Sequence, residues 1–221
     1  MEMSNINHLF DEIRRDFHLY SINKQFAFYD VTLKYDIFDN DTFIKNNTGY
    51  YVTVTNVETG KAEYLEMKDV LKEMEILRAT SAIPCVSQIV EWNGKKYLDG
   101  GIADSIPVLK CKEMGYEKII VVLTKPLSYR KKKRPAFIAK MFYKKNPNLV
   151  NAINTRYIKY NETLDIIIDM ENKKEIFVFR PSKDLKIKRI EKNTDKLQEM
   201  YDLGVKDFQD NLKALKKYLK S

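Results

Sequence analysis

Glycine is scarce in this 221-residue chain, and where it falls excludes several familiar chemistries. The seven glycines are Gly49, Gly60, Gly94, Gly100, Gly101, Gly115 and Gly204; no two stand four apart, so there is no Gly-x-Ser-x-Gly nucleophile elbow. The same positions exclude a Gly-x-Gly-x-x-Gly dinucleotide loop and a Walker phosphate loop. Histidine and cysteine are as rare. His8 and His18 have no metal-ligand spacing, and Cys85 and Cys111 form no C-x-x-C pair, so neither a metal nor another cofactor is expected and the cysteines read as reduced core thiols. Long apolar runs are missing too: Ile119 to Leu123 is the longest purely aliphatic stretch, against the roughly 20 residues a membrane-crossing helix needs. The polar start Met1-Glu2-Met3-Ser4-Asn5 has neither the basic nor the apolar region of a secretory signal, and a cytoplasmic location is expected.

What is present describes a globular chain. Hydrophobic residues make up 44% and aromatics 12%, enough for a substantial core, and no repeat or low-complexity linker divides the sequence, so residues 1–221 read as a single domain. The formal net charge is +8, densest at Arg130, Lys131, Lys132, Lys133 and Arg134. Such runs commonly do no more than face water. Here, however, Pro135 to Ala139 and Met141-Phe142-Tyr143 follow at once, interleaved with Lys140, Lys144 and Lys145. That mixture suits an interfacial element meeting anionic headgroups, which would place the chain peripherally at a membrane; it equally suits a core helix with snorkelling lysines. Nucleic acid is not an expected partner, because no stacking platform or reading helix accompanies the charge.

Local signals give the order of elements. Tyr50 to Val57 is rich in β-branched and aromatic residues and reads as a strand, with a turn at Glu58-Thr59-Gly60-Lys61 before Ala62 to Leu65. Helical spacing of Val70, Leu71, Met74, Leu77 and Ala82 predicts a helix from Lys68 to about Ser81. Asn93-Gly94 between Ile89–Trp92 and Lys95–Leu98 predicts a type I′ hairpin. A helix entered at Pro107 and closed at Gly115 precedes Lys118 to Thr124, which reads as a strand buried on both faces of a parallel sheet. Beyond lie a helix from Asn148 to about Glu171, a strand at Ile176–Phe179 and an amphipathic helix from Asp195 to Lys220. The first forty residues show no sustained period in Phe26, Phe28, Tyr29, Tyr35 and Phe38.

The sharpest candidate for chemistry is Asp99-Gly100-Gly101, just past the second strand of the hairpin. A carboxylate there can serve as general base, and two glycines allow a close backbone approach. Leu77 to Pro84, Asn93 to Gly101, Asp104-Ser105-Ile106-Pro107-Val108, Met114-Gly115-Tyr116 and Ile119 to Leu123, in this order, resemble the patatin-like phospholipase family, particularly its small bacterial members. Thr55 to Gly60 before them and Ile176 to Pro181 after them fit the same type, so the resemblance runs from about Phe38 onward. It implies an α/β fold with a mainly parallel central sheet flanked by helices, and lipid acyl ester hydrolysis by a serine and aspartate dyad without a cofactor. Asp99 takes the aspartate role, supported by Gly100 and Gly101. In the family the glycine-rich oxyanion loop and the serine elbow lie amino-terminal, so the chain resembles a carboxyl-terminal portion with the amino-terminal strands missing. Several expectations follow: alone it is inactive and exposes the strand at Lys118–Thr124, so that it self-associates or needs a complementing polypeptide. The alternative is a non-catalytic module binding lipid or a membrane surface through residues 130–145, with Arg130, Lys131, Lys132, Lys133, Arg134 and Lys140 as contacts. Ser81 and Ser105 lack flanking glycines and read as cap or core hydroxyls rather than nucleophiles.

Overall fold

A computed structural model describes residues 34, 38–85, 87–133, 137–187 and 191–220 of the chain; His8, His18, Phe26, Phe28, Tyr29, Tyr35 and Arg134 lie outside them. The chain divides into two compact units, residues 1–105 with 135–156, and residues 106–134 with 157–221.

In the first unit a short helix, α1 (Asn40–Lys45), leads to strands β1 (Tyr50–Asn56) and β2 (Ala62–Met67). These pair antiparallel from Tyr50 opposite Met67 to Thr55 opposite Ala62. The Asn56 side chain closes the turn by accepting the Glu58 and Thr59 amides at 2.9 and 3.0 Å, and Gly60 takes a φ of +67°. Helix α2 (Met74–Thr80) is shorter than its periodicity predicts. Glu73 accepts the Lys68 and Asp69 amides, and Asp69 accepts that of Lys72, so side chains hold residues 68–73 in turns. Strands β3 (Val90–Trp92) and β4 (Lys95–Asp99) form the expected hairpin, with φ of +48° at Asn93 and +74° at Gly94. β4 then pairs with the other edge of β1, Val54 opposite Asp99 and Asn56 opposite Tyr97.

The resulting sheet has the order β2-β1-β4-β3 and is antiparallel throughout, which corrects the expectation of a mainly parallel central sheet. The apolar run Lys118 to Thr124 that reads as a parallel strand does pair in parallel, but in a separate two-stranded sheet. Each hairpin is antiparallel by construction, and β1 and β4 also run in opposite directions where the two hairpins meet. The unit's core gathers Val52, Val54 and Leu98 from the sheet, Ile76 and Ala79 from α2, and Leu149 from helix α5 (Pro147–Asn172). Helix α4 (Phe137–Phe142) also belongs to this unit.

The second unit starts with helix α3 (Val108–Glu113), entered at Pro107 and followed by Gly115 at a φ of +85°. Strand β5 (Ile119–Val122) pairs in parallel with β6 (Ile176–Phe179), Ile119 opposite Ile176. Ile119, Val121 and Ile176 pack with Val108 of α3 and with Ile167 and Met170 of α5. On the other face, Phe177 and Phe179 meet Tyr218 and Phe208 of helix α6 (Thr194–Lys220) at 5.8 and 5.4 Å between ring centroids. The Tyr218 hydroxyl bridges the start of the ladder, accepting the Ile119 amide at 3.0 Å and lying 3.1 Å from the Glu175 carbonyl. β5 is not buried on both faces as its apolar run predicts: Ile120 is 43% and Val122 73% exposed. Among the described residues no helix is long and apolar enough to cross a membrane.

Candidate active site

Asp99 ends β4, and both its backbone amide and its carbonyl are tied. Its amide donates to the Ala82 carbonyl at 3.0 Å, its carbonyl accepts the Thr55 hydroxyl at 2.9 Å, and Thr55 also receives the Ala103 amide at 3.2 Å. Thr55 is fully buried, so this hydroxyl stitches β1 to the turn beyond Asp99 where water cannot compete. The turn is a single 3-10 element, Gly100–Ile102, and Asp99 caps it: Oδ1 accepts the Gly101 amide at 2.8 Å. Oδ2 accepts no hydrogen bond from any described residue, and the side chain is half-buried. One oxygen is thus anchored while its twin has no hydrogen-bond donor among the described residues, a disposition compatible with a general base.

The two glycines serve different purposes. A β-carbon on Gly100 would lie 2.0 Å from the Thr53 carbonyl oxygen, so only glycine lets this backbone pass β1. A β-carbon on Gly101 would lie 2.9 Å from Arg156 Nη2, 3.1 Å from Asp99 Oδ1 and 3.5 Å from Ser105 Oγ. A carboxylate, a guanidinium and a hydroxyl therefore border the same space. Ser105 donates its hydroxyl proton to the Gly101 carbonyl at 2.7 Å, and Ser81 is exposed at the carboxyl end of α2. Arg156, on α5, is the residue that sequence reasoning missed; it is 57 positions from Asp99, and no spacing pattern links them.

Nearby, Tyr64 donates to Asp104 at 2.6 Å, and a second polar group lies further along the sheet. Tyr97, 2% exposed, donates to Glu63 Oε2 at 2.7 Å, and Lys95 and Asn56 complete the carboxylate's partners at 3.0 and 2.8 Å. Burial, followed by the adjacent Glu63, pushes the Tyr97 phenol far above its ordinary range. Burial alone would raise the Glu63 carboxyl, but hydrogen bonds from Tyr97, Lys95 and Asn56 hold it below its usual value.

The basic stretch falls in both units. In the second unit Arg130 donates to the Leu127 and Tyr129 carbonyls and to Asp165 at 2.9 Å, while Lys131 lies 4.3 Å from the Tyr160 ring and its backbone pairs with the Asn161 amide group. Lys132 and Lys133 are exposed, and Lys140 is exposed on α4 in the first unit.

Comparison with known proteins assigns the two parts of the chain differently. Residues 5–111 match the profile described as Patatin-like phospholipase, and residues 146–220 match a domain of unknown function. The patatin-like match thus starts well before Phe38, where the resemblance was first legible, and ends at Cys111, short of β5. A curated relative, the uncharacterized protein YjjU of Escherichia coli (strain K12), is 29% identical over 141 residues, which cover 59% of this chain and 38% of that protein. The matched part therefore spans well under half the length of this relative.

Proposed function

From the premise that this chain belongs to the patatin-like phospholipase family through residues 5–111, we propose that it is part of a lipid acyl hydrolase in which Asp99 is the general base of a serine and aspartate dyad. The serine and the oxyanion loop come from a segment this sequence does not contain, since no Gly-x-Ser-x-Gly is present. The observation that carries the reading is the Asp99 carboxylate itself, with Oδ1 anchored by the Gly101 amide and Oδ2 without a partner among the described residues, on a backbone held by Ala82 and Thr55.

In the proposed cycle Oδ2 takes the proton of the incoming serine hydroxyl as its oxygen attacks the ester carbonyl of the lipid. The tetrahedral intermediate collapses, the alcohol leaves with the proton returned from Asp99, and the acyl group remains on the serine. Water then attacks the acyl-enzyme as Asp99 takes its proton, and collapse of the second tetrahedral intermediate releases the fatty acid while Asp99 returns that proton to the departing serine oxygen. Holding Oδ1 through a backbone amide keeps the carboxylate from swinging as charge moves on and off it. Gly100 makes the approach of this turn to β1 possible.

The test is serine labelling by a fluorophosphonate probe. The isolated chain is expected to remain unlabelled, and mixing or co-expression with a patatin-like segment bearing the Gly-x-Ser-x-Gly elbow should give a labelled serine on that segment and hydrolysis of a fluorescent acyl ester. Labelling of this chain alone at Ser81 or Ser105 would contradict the proposal, as would a complemented protein whose hydrolysis ignores Asp99→Asn.

A further inference from the structure

The net charge is unevenly distributed along the sequence. From Lys118 to Asn161 there are twelve Lys and Arg residues and no Asp or Glu, so the remaining residues carry a formal charge of −4. Helix α4 lies within this stretch and exposes apolar groups as well as charge. Met141 is 69% and Phe142 58% exposed, whereas Ala139 and Tyr143 are buried at 3% and 6%. The Tyr143 hydroxyl accepts the Cys85 amide at 2.8 Å, so the inner side of this segment is pinned to the core and the outward direction of its neighbours is fixed. Lys140, Lys144 and Lys145 are exposed, and no carboxylate of a described residue pairs with them. Arg130 and Lys131, by contrast, are committed to Asp165 and Tyr160.

We propose that the outward side of α4, with Met141 and Phe142 among Lys140, Lys144 and Lys145, docks this chain onto an anionic lipid bilayer. The two apolar side chains enter the boundary between headgroups and acyl chains, and the ammonium groups meet the phosphates. Charge complementarity with an anionic surface comes from a segment devoid of acidic residues. The choice of a bilayer over another acidic partner rests on the lipid-hydrolase reading above, together with the thioether and phenyl groups, which a dissolved polyanion would leave in water. An enzyme acting on lipid needs its base delivered to the interface, and α4 supplies the contact from the same unit that holds Asp99.

Sedimentation of the 221-residue chain with large vesicles tests this, using phosphatidylcholine alone and phosphatidylcholine mixed with phosphatidylglycerol. Binding is expected to the mixed vesicles and to fall as salt is added. Replacing Met141→Ser and Phe142→Ser together should weaken it at least about tenfold, and Lys144→Gln with Lys145→Gln about fivefold or more. Phe142→Trp should tighten binding, because indole favours the membrane interface, and an unfolded variant would not give that result. Asp99→Asn should leave binding unchanged, so vesicle binding together with failed complementation would overturn the hydrolase reading and leave this surface standing. The docking proposal is overturned if neither vesicle pellets the chain, if the Met141 and Phe142 substitutions change nothing, or if single-stranded RNA is bound and mixed vesicles are not.

Discussion

Two strands that both contain β-branched residues, β1 and β5, are completed to different degrees among the described residues. β1 is paired along both edges, by β2 and β4, and its Val52, Val54, Thr55 and Asn56 are buried. β5 is paired only with β6 among the described residues, and its alternate side chains Ile120 and Val122 face outward. Apolar, β-branched sequence creates a demand for neighbours but does not supply them. Where a second neighbour is present, as at β4, the backbone at Asp99 is held by hydrogen bonds to Ala82 and Thr55; where none is present among the described residues, as at β5, a short apolar edge is left, the kind of surface that invites pairing with another strand.

The most severe way to break the finished side is Gly100→Ala. Its β-carbon would lie 2.0 Å from a carbonyl oxygen of the central strand, which cannot move without parting the sheet, so a loss of more than about 4 kcal/mol or failure to fold is expected in urea unfolding. Leu98→Ala, at a side chain with no exposed surface beside Asp99, should cost about 3 kcal/mol in the same measurement.

The Tyr97 and Glu63 pair sharpens the comparison through pH. The Tyr97 phenol is raised on folding, so its contribution to stability is intact below about pH 10, where the unfolded chain's tyrosines begin to ionise, and is lost as pH climbs. The Glu63 carboxyl is lowered, so its contribution is present above about pH 4.5 and is lost as pH falls. Thermal melts should show both limbs. Tyr97→Phe should flatten the alkaline limb, and an unchanged alkaline slope would show that this hydrogen bond does not form in solution.

Smaller effects separate the second glycine and the open edge from these. Gly101→Ala meets the far end of the Arg156 side chain, which can give way, so a loss below about 1 kcal/mol is expected. Val122→Thr, at a position 73% exposed, should alter stability by less than about 0.5 kcal/mol but reduce concentration-dependent light scattering if β5 is a sticky edge.

Local chemistry was legible in the sequence and long-range pairing was not. Asn93-Gly94 specified its own turn through two positive φ angles, and Pro107 and Gly115 bracketed α3 as expected. The helix expected from Lys68 begins only at Met74, because Asp69 and Glu73 offer the backbone side-chain acceptors that periodicity does not register. The pairing of β4 with β1 joins residues more than forty positions apart, and nothing in either strand specifies the other as partner. An apolar run such as Ile119–Val122 has the same appearance whether or not a neighbour covers its second face. At the site, Asp99 and its two glycines could be found as a motif, whereas Arg156 is brought beside Gly101 only by the packing of α5.

The most direct test of the central claim is the rate of acyl ester hydrolysis by this chain complemented with a segment carrying the Gly-x-Ser-x-Gly elbow, compared between wild type and Asp99→Asn at matched folding and vesicle binding. A fall in kcat of about 10²- to 10⁴-fold is predicted for loss of a general base. Equal rates would contradict it and leave Asp99 as no more than the cap of a turn.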